Sequence, residues 1–517
     1  MRLTKTTIHR NLGPTLLMIS LLAINIHAAN PPAGDVPYSL GLSAFTIDGL
    51  PGIHSAVYAG DEHELVILAG RTNGMHGFPT IRTTGSTPSF PPDTRNHYVY
   101  VVDLAKKKLL GSAKVDGLPL KIANQLTASN TEFALSNGWL YIVGGYGLYG
   151  AVNADPGLTP IYTFPTVLAI DFKALVSAVK GKKPLDTAFA ATNIGVFDEP
   201  NLQITGGALK FFNGRMLLIL GHSMNGLYTT GGGTMTQSYS SSVRVWEISA
   251  VHDGPVVQLG AKIDAMVPNN PYGVDPSKDP YHRRDLPVEG AIDASGKERI
   301  VAWGGVFIAG RFDGYVNPVY VDAAAAPSFV TLTEDKSTTQ LLSQYECAVI
   351  PAYSVKGKSM YSTFFGGISE YYWKDGALHH DDPNLNIVPP VDGLPFIDSI
   401  STLKNNYSGA TPVSGQYLHV QQSFPPAGAA PQCAGKPAQY LGAETRFVRV
   451  AAVPHYNNEV IKLDAITSKT VIGYLVGGMT ADTMYAPPNS CASNMIYTLT
   501  LDPSQPTATK LLVAPTQ

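Results

Sequence analysis

The chain of 517 residues carries 36 basic against 39 acidic residues, 15% charged side chains, 50 glycines, 39 prolines, 26 tyrosines and three cysteines. This composition excludes a disordered chain, a disulfide-built scaffold and a basic nucleic-acid binder, and it points to a turn-rich β protein.

At the N-terminus Arg2, Lys5 and Arg10 precede an apolar run from Leu12 to Ile24 that ends in the small residues Ala28 and Ala29. That order predicts a secretory signal over residues 1–29, with the mature chain starting near Ala29 or Asn30. Without the leader, 33 basic residues face 39 acidic ones, a net charge of −6 that disfavours a nucleic-acid partner. No cysteine stands near the cleavage site to take a lipid, and no later stretch has the roughly 20 apolar residues of a membrane helix. The expectation is a soluble periplasmic or secreted protein.

The segment from Val36 to Asp48 is a candidate strand for closing a ring, and beyond it one pattern recurs six times. An apolar strand closes on glycine at Gly70, Gly145, Gly221, Gly305, Gly367 and Gly478. Each is preceded by a short strand and followed by a polar loop and a third strand, as in HYVYVVDL or SVRVWEI. A fourth often follows, as in KKLLGSAKV, PVVQLGAKI, SFVTLTE and TKLLVAP. Four antiparallel strands repeated around an axis make a β-propeller. The reading is all-β: residues 30–517 as a single propeller of about six four-stranded blades, with a seventh left open.

The glycine pairs Gly144-Gly145, Gly304-Gly305, Gly366-Gly367 and Gly477-Gly478, with His54 and Ser55 opening the first blade, resemble the kelch repeat, as in the central domain of galactose oxidase. Ala69-Gly70 and Leu220-Gly221 depart from the full pair. Kelch-type propellers include a sugar epimerase and copper-radical oxidases, so the resemblance implies a sugar-acting enzyme as one alternative.

Three local motifs look catalytic. Gly145 to Gly150 fits G-x-G-x-x-G, but AVNADPGLTP follows where dinucleotide binding needs a helix. Gly221 to Gly226 approaches a nucleophile elbow with Asn225 in place of its second glycine and no helix behind it. His379, His380, Asp381 and Asp382 are metal-ligand types, though adjacent residues seldom point at one ion.

The stronger constellation comes from blade equivalence. Aligned as first residues of the innermost strand, His54, Glu132, Gly206, Glu289, Glu346 and Glu444 stand 57 to 98 residues apart. They predict an acidic rim at one end of the central channel, under long loops. Like charges so placed need a cation, arginine partners or raised pKa values. Glu132, Glu289, Glu346 and Glu444 are therefore candidate ligands of a divalent cation, and Arg71, Arg284 and Arg446 the competing internal partners. Asn73, His76, Tyr146, His222 and Tyr371, with Tyr149, Asn225, Tyr228, Tyr372 and Trp373, lie in the long loops as contacts for a glycan or peptide. The leading expectation is a module binding a polar ligand at this rim. The alternatives are a carbohydrate-acting enzyme and a docking platform for a cell-envelope protein. Cys433 and Cys491, both in Pro/Gly/Ser-rich loops, could form one disulfide, or stay as free thiols.

Overall fold

The computed structural model describes residues 35–514 except 78–88, 151–159, 229–234, 255, 269–274, 276–277, 312, 324–329, 382–393, 427, 429, 434 and 486–488. The leader and Asp382 lie outside the described residues.

Six four-stranded antiparallel blades succeed one another along the chain. Blade one is Val57–Ala59, Leu65–Leu68, Tyr98–Asp103 and Lys108–Lys114, and blade two is Glu132–Ser136, Trp139–Val143, Thr166–Asp171 and Ile194–Asp198. Blade three runs Ala208–Phe212, Arg215–Ile219, Val243–Asp253 and Val256–Val267, and blade four Val288–Ile292, Glu298–Ala302, Val319–Ala323 and Val330–Glu334. Blade five is Ala348–Ser354, Ser359–Phe365, Ser399–Asn406 and Val413–Ser423. In blade six Arg446–Arg449, Thr470–Val476 and Ile496–Asp502 come from the C-terminal region, and Ser39–Phe45 supplies the fourth strand, pairing from Ser39 opposite Asp502 to Phe45 opposite Ile496. The chain's first strand thus covers what would be the edge of its last blade.

The apolar core is divided among the blade junctions. Leu68 and Val101 pack on Leu140 and Leu168 between blades one and two, and Val143 and Val167 on Leu218 and Trp246 between two and three. The same happens with Ile219 and Ile300, Trp303 and Phe364, and Phe365 and Leu475. The sixth junction sets Val476 and Ile496 of blade six against Tyr58 and Ile67 of blade one, which closes the ring. Each such side chain, taken from water, contributes about 1.5–3 kcal/mol, so closure is held by packing as well as by the shared strand.

The six strand-ending pairs share one backbone conformation. Gly144, Gly304, Gly366 and Gly477 have φ between 48° and 72°, and Ala69 and Leu220, the two departures, take 59° and 54° in the same left-handed region. The turn also stitches blades together: the amides of Gly70, Gly145 and Gly221 donate to the carbonyls of Ala128, Ile204 and Arg283 on the approach to the next blade.

Two features differ from the sequence reading. Thr509–Leu511, expected as the fourth strand of blade six, adds instead to Val413–Ser423 at the edge of blade five, because Ser39–Phe45 already holds that place. Between the third and fourth strands of blade two the chain forms helices Phe172–Lys180 and Thr187–Asn193, each capped by an aspartate, Asp171 and Asp186. Leu175, Val176 and Val179 bury the first helix against the junction of blades one and two. Cys433 and Cys491 are joined in a disulfide, and Cys347 is a buried free thiol. Among the described residues no helix is long and apolar enough to cross a membrane.

Candidate functional site

One local motif builds the mouth of the channel. In each blade the residue after the turn pair bridges back to the approach to the innermost strand: His54 with Arg71, Ser129 with Tyr146, Thr205 with His222, Arg284 with Val306, and Tyr345 with Ile368. Blade six repeats this with Ala443 and Met479. The residue that follows each approach residue turns left-handed: Ser55, Asn130, Gly206, Asp285, Glu346 and Glu444 have φ from 49° to 65°. These six are the true equivalent positions. They turn the chain into the channel and, Gly206 apart, line one pocket at its mouth.

The alignment drawn from sequence therefore needs correcting. Glu346 and Glu444 are on the rim, and His54 is one residue before it. Glu132 and Glu289 stand two and four residues beyond Asn130 and Asp285, which at about 3.3 Å per residue is roughly 7 and 13 Å down the strand. Both line a separate cavity at the other end of the channel, with Arg446. The four glutamates do not form one ligand set, and among the described residues no group of three or more His, Cys, Asp or Glu is placed to hold a metal ion.

His54, Arg71, His76, Tyr146, His222, Arg284, Glu346 and Glu444 all line the mouth pocket. Asn73 stays behind His54, where its backbone faces the ring. Tyr371 lies in a hairpin, Tyr371–Lys374 with Ala377–His380, stacked on His380 at 4.4 Å and packed toward Leu342 and Leu418, so it belongs to the flank of blade five. Tyr372 stacks likewise on His379 and His380 bonds Glu370, so both histidines of the acidic-histidine motif serve this hairpin. The two glycine motifs become strands, Tyr146–Leu148 and His222–Asn225, in a four-stranded sheet that walls the mouth. Ser223 there is a strand residue opposite Ser238.

The pocket floor is a network of acids. Ser55 Oγ donates to Glu444 Oε1 at 2.6 Å, and His54 Nδ1 is 2.9 Å from the same Oγ. The Asn130 amide, oriented to satisfy both neighbours, donates to Ser55 Oγ at 3.0 Å and to Glu444 Oε1 at 3.2 Å. Glu346 shares side-chain hydrogen bonds with Glu444 and with Asp285. Burial, then the charge of Glu444 and Asp285, pushes the Glu346 carboxyl well above the usual range, and burial likewise raises Asp285. Of this cluster, Glu346 is the carboxyl whose environment most favours keeping its proton.

The walls carry the cations. Arg284 Nε is 3.3 Å from Asp285 Oδ2 and Nη1 is 3.4 Å from both ring nitrogens of His222. Arg71 lies over the Phe90 ring at 4.5 Å, is 2% exposed, and leaves Nε and Nη2 without a hydrogen-bond partner among the described residues. Burial holds the imidazoles neutral, His54 down to about 4, His76 to about 3 and His222 well below its ordinary value. His76 also stacks on Phe90 and meets Tyr228 edge-on. Ser55, Asn130 and Asp285 were missed as site residues. The signal for them was a residue two or three places before each inner strand, not the first charged residue within it.

No family model and no curated protein matches the chain. Among solved structures it is similar to one described as "Structure of YjhT", at 11% identity and a TM-score of 0.40, covering 89% of this chain and 99% of that one.

Proposed function

We propose that the protein is an exported kelch-type propeller that binds a small polar ligand, a glycan or peptide fragment carrying an anionic group, in the mouth pocket. The observation that carries this is Arg71. Its Nε and Nη2 form one edge of the guanidinium, the fork that matches the two oxygens of a carboxylate. Leaving that edge unpaired at 2% exposure is costly, because buried charged donors are normally satisfied. A ligand carboxylate supplies the missing acceptor, while the neutral imidazoles and Tyr146 and Tyr228 offer hydrogen bonds and ring faces to the rest of it.

A second reading, a carbohydrate-acting enzyme on the same scaffold, is favoured by the Asp285, Glu346 and Glu444 cluster, where the raised Glu346 carboxyl could supply an acid. Export is supported by the order of the N-terminal leader and by the disulfide, which suits an oxidising compartment.

Two measurements test these readings. In thermal-shift titrations with matched carboxylated and neutral sugars and dipeptides, carboxylated members should raise the melting temperature of the wild type, and Arg71→Met should weaken that binding tenfold or more. Selection of neutral members, unchanged by the substitution, overturns the proposal. Titration of thiols in the exported, denatured protein should find one per chain, from Cys347, rising to three after reduction; three before reduction would contradict the oxidised state.

A further inference from the structure

The far end of the channel opens into a second cavity of about 1340 Å³, separated from the mouth pocket by the carboxyl cluster. We propose that this cavity is an independent site for a small oxoanion, seated on Arg446.

Two of the three cations that line the cavity are matched by carboxylates. Lys210 Nζ stands 3.3 Å from Glu289 Oε2, and Arg449 is paired with Glu459 at 2.7 Å while also donating to the Val450 carbonyl. Each of those cations has its own carboxylate. The Arg446 guanidinium makes no hydrogen bond or ion pair with the described residues, although its backbone, in the innermost strand of blade six, pairs with Val476. It lies within electrostatic reach of Tyr58, Glu132 and Glu346, which belong to blades one, two and five. Its side chain lines the cavity together with residues of blades one, two and five.

Glu132, one of the carboxyls within its electrostatic reach, does not provide a counter-charge at neutral pH. That carboxyl accepts the Gly207 amide at 2.8 Å and is buried, and burial pushes it up to about 8, so it keeps its proton at neutral pH. Thr131, from the same strand approach, lines the cavity with a buried hydroxyl that has no hydrogen-bond partner. Arg446, the Thr131 hydroxyl and the protonated Glu132 carboxyl therefore offer donors to one cavity whose carboxylates are already engaged, Glu289 by Lys210, Glu459 by Arg449 and Asp61 by the His63 and Glu64 amides. An anion with several oxygens, of the phosphate or sulfate type, satisfies that set better than a planar carboxylate, which takes its bonds along two edges. The mouth of the cavity is open to solvent through the far face, so the ion need not pass the carboxyl cluster.

The test uses inorganic phosphate as probe and the full mature chain with Arg71→Met, so that the mouth pocket contributes nothing. Calorimetric or 31P NMR titration should show saturable binding to this protein, displaced by sulfate, and R446M added to it should weaken binding tenfold or more. Arg446→Lys should recover part of the affinity, and circular dichroism must show each variant folded. Absence of saturable binding in the Arg71→Met protein, or equal binding with and without Arg446, overturns the inference. Because Arg71 is absent throughout, failure here leaves the mouth-pocket reading standing, and failure there leaves this one.

Discussion

Gly144→Ala is expected to lower the free energy of unfolding by about 3 kcal/mol or more, seen as a large drop in the urea midpoint at unchanged slope. The left-handed backbone is not the reason by itself. Ala69 and Leu220 occupy the equivalent turn position in blades one and three with φ of 59° and 54°, and that conformation costs an ordinary residue only about 1–2 kcal/mol. What sets Gly144 apart is its neighbour: an added Cβ would overlap the carbonyl oxygen of Ile204. That oxygen cannot move away freely, because it accepts the Gly145 amide at 2.9 Å in the stitch between blades two and three. The substitution therefore either breaks the stitch or pushes the two blades apart along the Val143, Val167 and Leu218 packing. Ala69→Gly is the control. It relieves about 1–2 kcal/mol of backbone strain but frees the unfolded chain, which costs about 0.4–1 kcal/mol, so a net change of no more than about 1 kcal/mol is expected. If Gly144→Ala unfolds at the wild-type midpoint, the close approach is not a constraint and the turn relaxes around it.

The same turns show how far the sequence can be read. Six strands ending on glycine are visible because the conformation they need selects glycine at most of the twelve pair positions, and their recurrence locates every blade. The covering strand Ser39–Phe45 is legible for a similar reason, since a ring leaves one edge to fill. The rim was not legible in the same way. Its positions are defined by backbone, and the left-handed residue can be Ser55, Asn130, Gly206, Asp285, Glu346 or Glu444. Aligning on the acidic residue type worked where the rim residue is a glutamate, and slid down the strand to Glu132 and Glu289 where it is asparagine or aspartate. A slip of two or four residues along an extended chain moves a carboxyl from one cavity to the other. Arg71, His222 and Tyr146 were reached from sequence because they follow the glycine directly, which is the position that bridges back to the rim in every blade.

The slipped residue gives the second large effect. Glu132→Gln is expected to stabilise the protein by about 2–4 kcal/mol near pH 8 and to leave it unchanged near pH 4, with the 1.4 kcal/mol per unit of pKa shift as the scale. In the folded chain burial raises Glu132 from 4.5 to about 8, partly opposed by the Gly207 hydrogen bond and Arg446. Between those values the native state holds a proton that the unfolded chain has lost, so stability falls as pH rises through that window and levels off above it. Glutamine is isosteric, keeps an acceptor for Gly207, and has nothing to ionise. Buried His54 and His76, lowered from 6.5 to about 4 and about 3, act with the opposite sign: the unfolded chain takes up protons first, so stability falls as pH drops below 6.5. Between pH 4.5 and 6.5 the two effects offset each other, and above 6.5 the carboxyl effect acts alone, so the wild type should lose stability steadily from pH 6.5 to 8. Glu132→Gln should raise only the alkaline limb, leaving the decline that Glu346 and Asp285 still impose. Urea midpoints measured from pH 4 to 9 decide the matter. Parallel curves for the two proteins would show that Glu132 ionises in the folded chain as readily as in the unfolded one, and that Arg446 is paired with it after all.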